Sequence, residues 1–120
     1  MNEEIPETRT TLTGLKYCVT QVGHGKDKPE KGDMVKVDYT GRFENGTVFD
    51  TSVHKSGNGK PLEFPIGIGK VIEGWDEAIA DMVVGEKRTL TVPPHLAYGD
   101  NSPPSIPPNS TLIFDIERLD

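Results

Sequence analysis

The sequence predicts an α+β fold, with about five antiparallel strands wrapped around one short α-helix. Three observations lead there. Only Val71–Val83 has a helical period: Trp75, Ile79, Met82 and Val83 fall at i, i+4, i+7 and i+8, with Asp76, Glu77 and Asp81 on the other side. Most other apolar residues sit in short, β-rich runs, several alternating with period two. The 13 Gly and 10 Pro suit a turn-rich sheet better than a bundle.

Each element follows from its residues. Positions 1–10 are polar and acidic, with Pro6, and read as a flexible tail, leaving 11–120 as one domain. Leu15–Val22 carries Tyr17, Val19 and Val22 and predicts a strand, and Gly23–Gly32 is a loop. Asp33–Phe43 alternates Val35, Val37 and Tyr39 against Met34, Lys36, Asp38 and Thr40. Asn45-Gly46 is a strong hairpin signal, so Thr47-Val48-Phe49 begins the return strand. His54–Pro61 reads as an exposed loop, Leu62–Ile66 as a short strand, and Gly67–Lys70 as the entry to a helix of about three turns. Gly85 closes the helix region; Lys87–Val92 sets Leu90 and Val92 against Lys87, Thr89 and Thr91. Pro93–Pro108 holds six prolines, and a loop of that length is usually functional. Thr111–Leu119 ends the sheet, with Leu112, Phe114 and Ile116 on one face.

Composition narrows the function. A net charge of -6 without a basic patch argues against nucleic acid and anionic membranes as partners. One cysteine, Cys18, leaves no internal disulfide and fits a reducing compartment such as the cytoplasm. The acidic N-terminus has no apolar run of a secretory signal, and no stretch approaches a membrane span.

Reactive motifs fail one by one. Gly67-Ile68-Gly69 lacks the further glycine of a dinucleotide loop, where Ile72 stands, and a Walker loop fails at Phe64 and Val71. His24, His54 and His95 are scattered, and one cysteine cannot build a structural zinc set, so no metal and no cofactor is expected. Cys18 lies mid-strand and resembles a small core hydrophobe. What remains is an aromatic set on separate elements: Tyr39, Phe49, Phe64, Trp75, Tyr98 and Phe114, accompanied by Val71, Ile72 and Ile106. These residues could simply form the core, Phe64 above all. Tyr98 in a proline-rich loop and Asp50 beside Phe49 fit a core less well, because buried polar groups need partners.

Taken together, Val37-Asp38-Tyr39-Thr40-Gly41, Asn45-Gly46, Val48-Phe49-Asp50-Thr51-Ser52, Val71-Ile72-Glu73-Gly74-Trp75-Asp76-Glu77 and Pro93–Gly99 form an ordered series. With Ile106–Phe114 added, the chain resembles a single-domain member of the FKBP-type peptidyl-prolyl cis-trans isomerases over about residues 12 to 120. The resemblance implies a pocket for the prolyl ring with Trp75 as its floor and Tyr39, Phe49, Val71, Ile72 and Phe114 as walls. It implies that the Ile72 N–H and Tyr98 hydroxyl donate to ligand carbonyls, that Asp50 accepts from a ligand hydroxyl or polarises the site, and that Leu62 and Ile106 line the rim. It further implies a monomer acting on X-Pro peptides and protein clients and binding the macrolides tacrolimus and rapamycin, the drug-bound face then engaging calcineurin or the TOR kinase. The chain departs from the family pattern at the rim. Lys55 stands where arginine is common and lacks its planar fork. The loop before Trp75 is longer around Ser56–Lys60, Leu62 replaces a frequent phenylalanine, and the loop after Tyr98 is shorter, with Pro103-Pro104-Ser105.

Rotation about an X-Pro bond breaks no covalent bond and needs no nucleophile, which accords with the failed motifs. Three alternatives compete: a module that binds proline motifs without turnover, a chaperone for unfolded chains, and a plain structural β-domain. Trp75, Tyr39, Phe49, Asp50 and Phe114 argue against the binding module, and the short insertion is too small for the chaperone, which leaves the isomerase ahead of the plain β-domain.

Overall fold

The structure, a computed structural model, describes residues 8–52 and 61–120. Its elements run β1 (Thr8–Thr10), β2 (Lys16–Gln21), β3 (Met34–Phe43), β4 (Val48–Thr51), β5 (Leu62–Pro65), α1 (Glu73–Ile79), β6 (Lys87–Val92) and β7 (Leu112–Arg118), with a 3-10 turn at Pro94–Leu96. All strand pairs are antiparallel, in the order β1-β2-β6-β7-β3-β4. The free side of β3 is shared: β4 pairs with Thr40–Arg42, and β5 pairs with Met34–Val37.

The sheet therefore has seven strands where about five were expected. One addition is β1, which the expected tail contains: Thr8, Arg9 and Thr10 pair with Cys18, Tyr17 and Lys16. Three polar residues carry no alternation to read, so only the partner strand reveals them. The loop expected over His54–Pro61 lies almost wholly outside the described residues, together with Lys55 and Ser56–Lys60.

The period-two strands behave as their patterns require. Val35 and Val37 of β3 are buried, as are Leu90 and Val92 of β6 and Leu112, Phe114 and Ile116 of β7. Asn45-Gly46 makes the hairpin, with Gly46 at φ 91 and the Phe43 N–H donating to the Thr47 carbonyl at 2.9 Å. The core cluster joins these strands to Trp75, Ala78, Ile79 and Met82, which come from the single amphipathic segment.

That segment contains less α-helix than its period suggests. Ile72 is extended at φ -61, ψ 151 and stands as the N-cap of a seven-residue helix. Beyond Ile79 the chain tightens, with the Asp81 and Met82 N–H groups donating three residues back to Ala78 and Ile79. Met82 stays buried although the α geometry has ended. The Asp76 carboxylate holds the entry, accepting from the Gly67 and Gly69 N–H groups at 2.8 and 3.1 Å.

The far end of the segment is fastened by charge. Arg88 lies on the apolar side of β6 with a 6% exposed side chain; its Nε donates to Glu86 at 2.6 Å and its Nη2 to the Asp81 carboxylate at 2.8 Å. Glu86 also accepts from the Val83 N–H, and Lys28 pairs with Asp81 at 2.6 Å. The Arg88 guanidinium lies 4.4 Å from the Tyr17 ring centroid. Buried Arg118 donates to the carbonyls of Met82 and Asp27. Burial alone would raise the Asp81 carboxyl pKa, but hydrogen bonds and charge from Lys28 and Arg88 prevail and hold it below the ordinary carboxylate value.

Candidate active site

The pocket begins with strand register. Pairing of β3 with β4 sets Gly41 opposite Asp50, and pairing of β3 with β7 sets Gly41 opposite Phe114. A Cβ at Gly41 would come within 2.7 Å of Phe49 Cζ and 2.9 Å of Phe114 Cε1, so the missing side chain is what lets both rings close over this strand. Phe49 and Phe114 then meet edge to face, 5.8 Å between centroids at 81°. From the start of α1, Trp75 meets Tyr39 at 4.9 Å and 71°, and Phe114 at 5.2 Å and 84°. Four rings from four elements, far apart in the chain, thus share one corner.

Between them is a cavity of about 170 Å³. Tyr39, Phe49, Trp75 and Phe114 line it, joined by Val71 and Ile72 from the helix entry and by Leu62 from β5. Asp50, Tyr98 and Lys70 complete the lining. Sites for drug-sized ligands typically measure roughly 300–1,000 Å³, so this one suits a single ring, and anything larger must spread over the rim. A larger concavity of about 340 Å³ is lined by Thr20, Thr40 and Thr89, by the charged Asp38, Lys87, Arg88, Asp115 and Glu117, and by Tyr39 and Ile116. Several of those groups already bond to one another or to neighbours, including Thr89 to Asp115 and Thr40 to Thr51.

Polar groups in the smaller cavity are few and directed. The Tyr39 hydroxyl donates to Asp50 Oδ2 at 2.7 Å. Burial, reinforced by that hydrogen bond and by the charge of Asp50, pushes the Tyr39 phenol pKa well above its usual value. Burial and Asp50 also raise that of Tyr98. Both phenols therefore remain protonated donors at neutral pH. Tyr98 is 39% exposed at the mouth, and no described residue hydrogen-bonds to its hydroxyl. The Ile72 N–H likewise has no partner among the described residues, as befits a residue just outside a helix. Trp75 Nε1 is buried without a hydrogen-bond partner among rings that offer it none.

One expected residue lies elsewhere, and the one read as core is core. Ile106, expected at the rim, is 5% exposed in the core cluster and does not line the cavity. Its N–H and carbonyl are tied to Pro103 and Ser102 within the proline-rich loop. Phe64 is also core, 6.1 Å from Trp75. Lys70 was not expected; its position directly before Val71-Ile72 was the available signal. Among the described residues, no group of three His, Cys, Asp or Glu could hold a metal ion.

Comparison with known proteins identifies the family. The profile described as FKBP-type peptidyl-prolyl cis-trans isomerase matches residues 25–119. FK506-binding protein 1 of Candida glabrata is 49% identical over 113 residues, 93% of this chain and 96% of its own length. FK506-binding protein 2 of Yarrowia lipolytica is 58% identical over 93 residues, covering 77% of this chain but only 62% of that relative. The crystal structure of AtFKBP13 superposes with a TM-score of 0.87 at 44% identity, covering 95% of this chain and 98% of that one. The chloroplastic FKBP13 of Arabidopsis thaliana is 46% identical over 125 residues, 94% of this chain and 58% of that sequence.

Proposed function

Because the chain belongs to the FKBP-type peptidyl-prolyl cis-trans isomerases, we propose that the aromatic cavity takes the prolyl ring of an X-Pro peptide and speeds rotation about its amide bond. The observation that carries this reading is a mostly apolar, ring-walled cup of one-ring size bordered by two unengaged donors, the Ile72 N–H and the Tyr98 hydroxyl. The barrier of roughly 18–20 kcal/mol is amide resonance, which puts partial negative charge on the carbonyl oxygen. An apolar cup solvates that charge poorly, so the planar ground state loses more than the twisted transition state. The two donors fix the flanking peptide while the bond turns. Asp50, through Tyr39, holds a wall of the cup and keeps its polar edge oriented.

Magnitude sets the division of labour. A 10⁴-fold acceleration requires about 5.4 kcal/mol at about 1.36 kcal/mol per decade. One neutral hydrogen bond supplies around 1 kcal/mol. Catalysis is therefore spread over desolvation, orientation and several contacts, with Tyr39, Phe49, Asp50, Trp75, Tyr98 and Phe114 each carrying a part.

The same cavity, extended by Leu62 over the rim, receives tacrolimus- or rapamycin-type macrolides, and the loaded face meets calcineurin or the TOR kinase. The relatives named FK506-binding proteins support the drug-binding part of this reading. The chain works as a cytoplasmic monomer on peptide and protein clients, a reading supported by its lone cysteine, whereas the chloroplastic relative points elsewhere. Cell fractionation and sedimentation test compartment and oligomeric state.

The decisive experiment is cis–trans exchange of a short Leu-Pro peptide, measured by NMR with and without rapamycin. Exchange accelerated by the protein and suppressed by the drug is the expected result. No acceleration makes the chain a proline binder without turnover.

A further inference from the structure

Asp50 and Lys70 are the two charged residues among those lining the cavity, and they are engaged differently. Asp50 accepts from the Tyr39 hydroxyl. Lys70 is exposed, and none of the described residues forms an ion pair or hydrogen bond with it. Of the carboxylates beside it in the cavity or the chain, Asp50 accepts from Tyr39 and the other two leave it unpaired. Asp76 is committed to the Gly67 and Gly69 N–H groups, and Glu73, three residues on, makes no pair with it. Lys70 also immediately precedes Val71 and Ile72, where a peptide bound at the Ile72 N–H must run.

We propose that Lys70 is a specificity-determining residue that makes the site favour X-Pro peptides carrying an acidic side chain next to the proline over those carrying a basic one. This rests on the isomerase reading of the cavity. The chain's net charge of -6 works the other way at long range. Screening over about 8 Å at physiological salt leaves the nearest charge dominant once the peptide is seated. At a separation of about 6 Å in water-like dielectric, one such pair changes binding about three-fold, and exchanging Glu for Lys in the substrate about ten-fold.

The test is kcat/KM for Ala-Glu-Pro-Phe, Ala-Gln-Pro-Phe and Ala-Lys-Pro-Phe, each normalised to Ala-Leu-Pro-Phe, for the intact chain and for Lys70→Gln and Lys70→Glu. The expected result is a Glu-to-Lys ratio of about three to ten at physiological salt. That ratio collapses toward one in Lys70→Gln or high salt and inverts in Lys70→Glu. A ratio that stays the same across the three proteins overturns the assignment. Failure to turn over even the Leu peptide refutes the isomerase reading itself, so the two failures are distinct.

Discussion

The two ends of the segment containing α1 are held by opposite chemistry. At its start, Trp75 sits among Tyr39, Phe114 and Phe64 with its indole N–H unsatisfied. Past its end, Asp81, Glu86, Arg88 and Lys28 form a network in which the buried guanidinium is bonded on two sides. The contrast teaches a division of roles. The cup is walled mainly by rings, with the Tyr39–Asp50 hydrogen bond at its edge, while the charged contacts lie about two turns away.

Four experiments can break or sharpen this contrast. The largest expected effect is at the charged end. Arg88→Ala leaves Glu86 buried beside a lost partner and should cost about 3–5 kcal/mol in urea unfolding, whereas the double variant Arg88→Met/Glu86→Leu, which removes both buried charges, should cost much less. Isomerase activity per folded molecule should change little in either variant; a collapse of activity would show that the two ends are not separable. Next comes Gly41→Ala, whose added methyl meets Phe49 and Phe114. It should destabilise by about 1–3 kcal/mol yet lower kcat/KM by more than about ten-fold, because the rings that shape the cup must move. Equal, small losses would place the rings outside the chemistry.

Smaller still, Tyr98→Phe should reduce kcat/KM only about five-fold, the worth of around 1 kcal/mol for one neutral hydrogen bond. Asp50→Ala and Tyr39→Phe should also be partial. Total inactivity of any of these folded variants would point to a single indispensable group. The smallest effect concerns pH. The folded Asp81 pKa is depressed, so its contribution to stability is present above the unfolded value of about 3.9 and fades as pH falls toward the folded one. The raised phenol pKa values work in the opposite direction: their contribution is full below about pH 10 and is lost as pH rises beyond it. Between those limits kcat/KM should be nearly flat from pH 6 to 9, and a bell centred near 7 would overturn catalysis by protonated phenol donors and a backbone N–H.

The contrast also marks how far the sequence could be read. Alternation in β3 and β7, the Asn45-Gly46 hairpin and the helical period around Trp75 are local signals, and the structure follows them. Arg88 was invisible because a charge on a strand's inner face makes sense only beside Asp81 and Glu86, and local pattern puts charges outward. The aromatic residues could be enumerated, but their convergence depends on the register of β3 with β4 and β7, which spacing alone does not encode. Resemblance to a family supplied that link. Ile106 shows the limit of such transfer: it is buried in the core cluster and does not line the cavity.

The margins of the sheet have a consequence of their own. Strands β1, β4 and β5 each have a single strand neighbour among the described residues and run only three, four and four residues. Exposed strand edges invite pairing with other chains, and such brief borders offer little ladder to climb. The sheet is thereby guarded against edge-to-edge association.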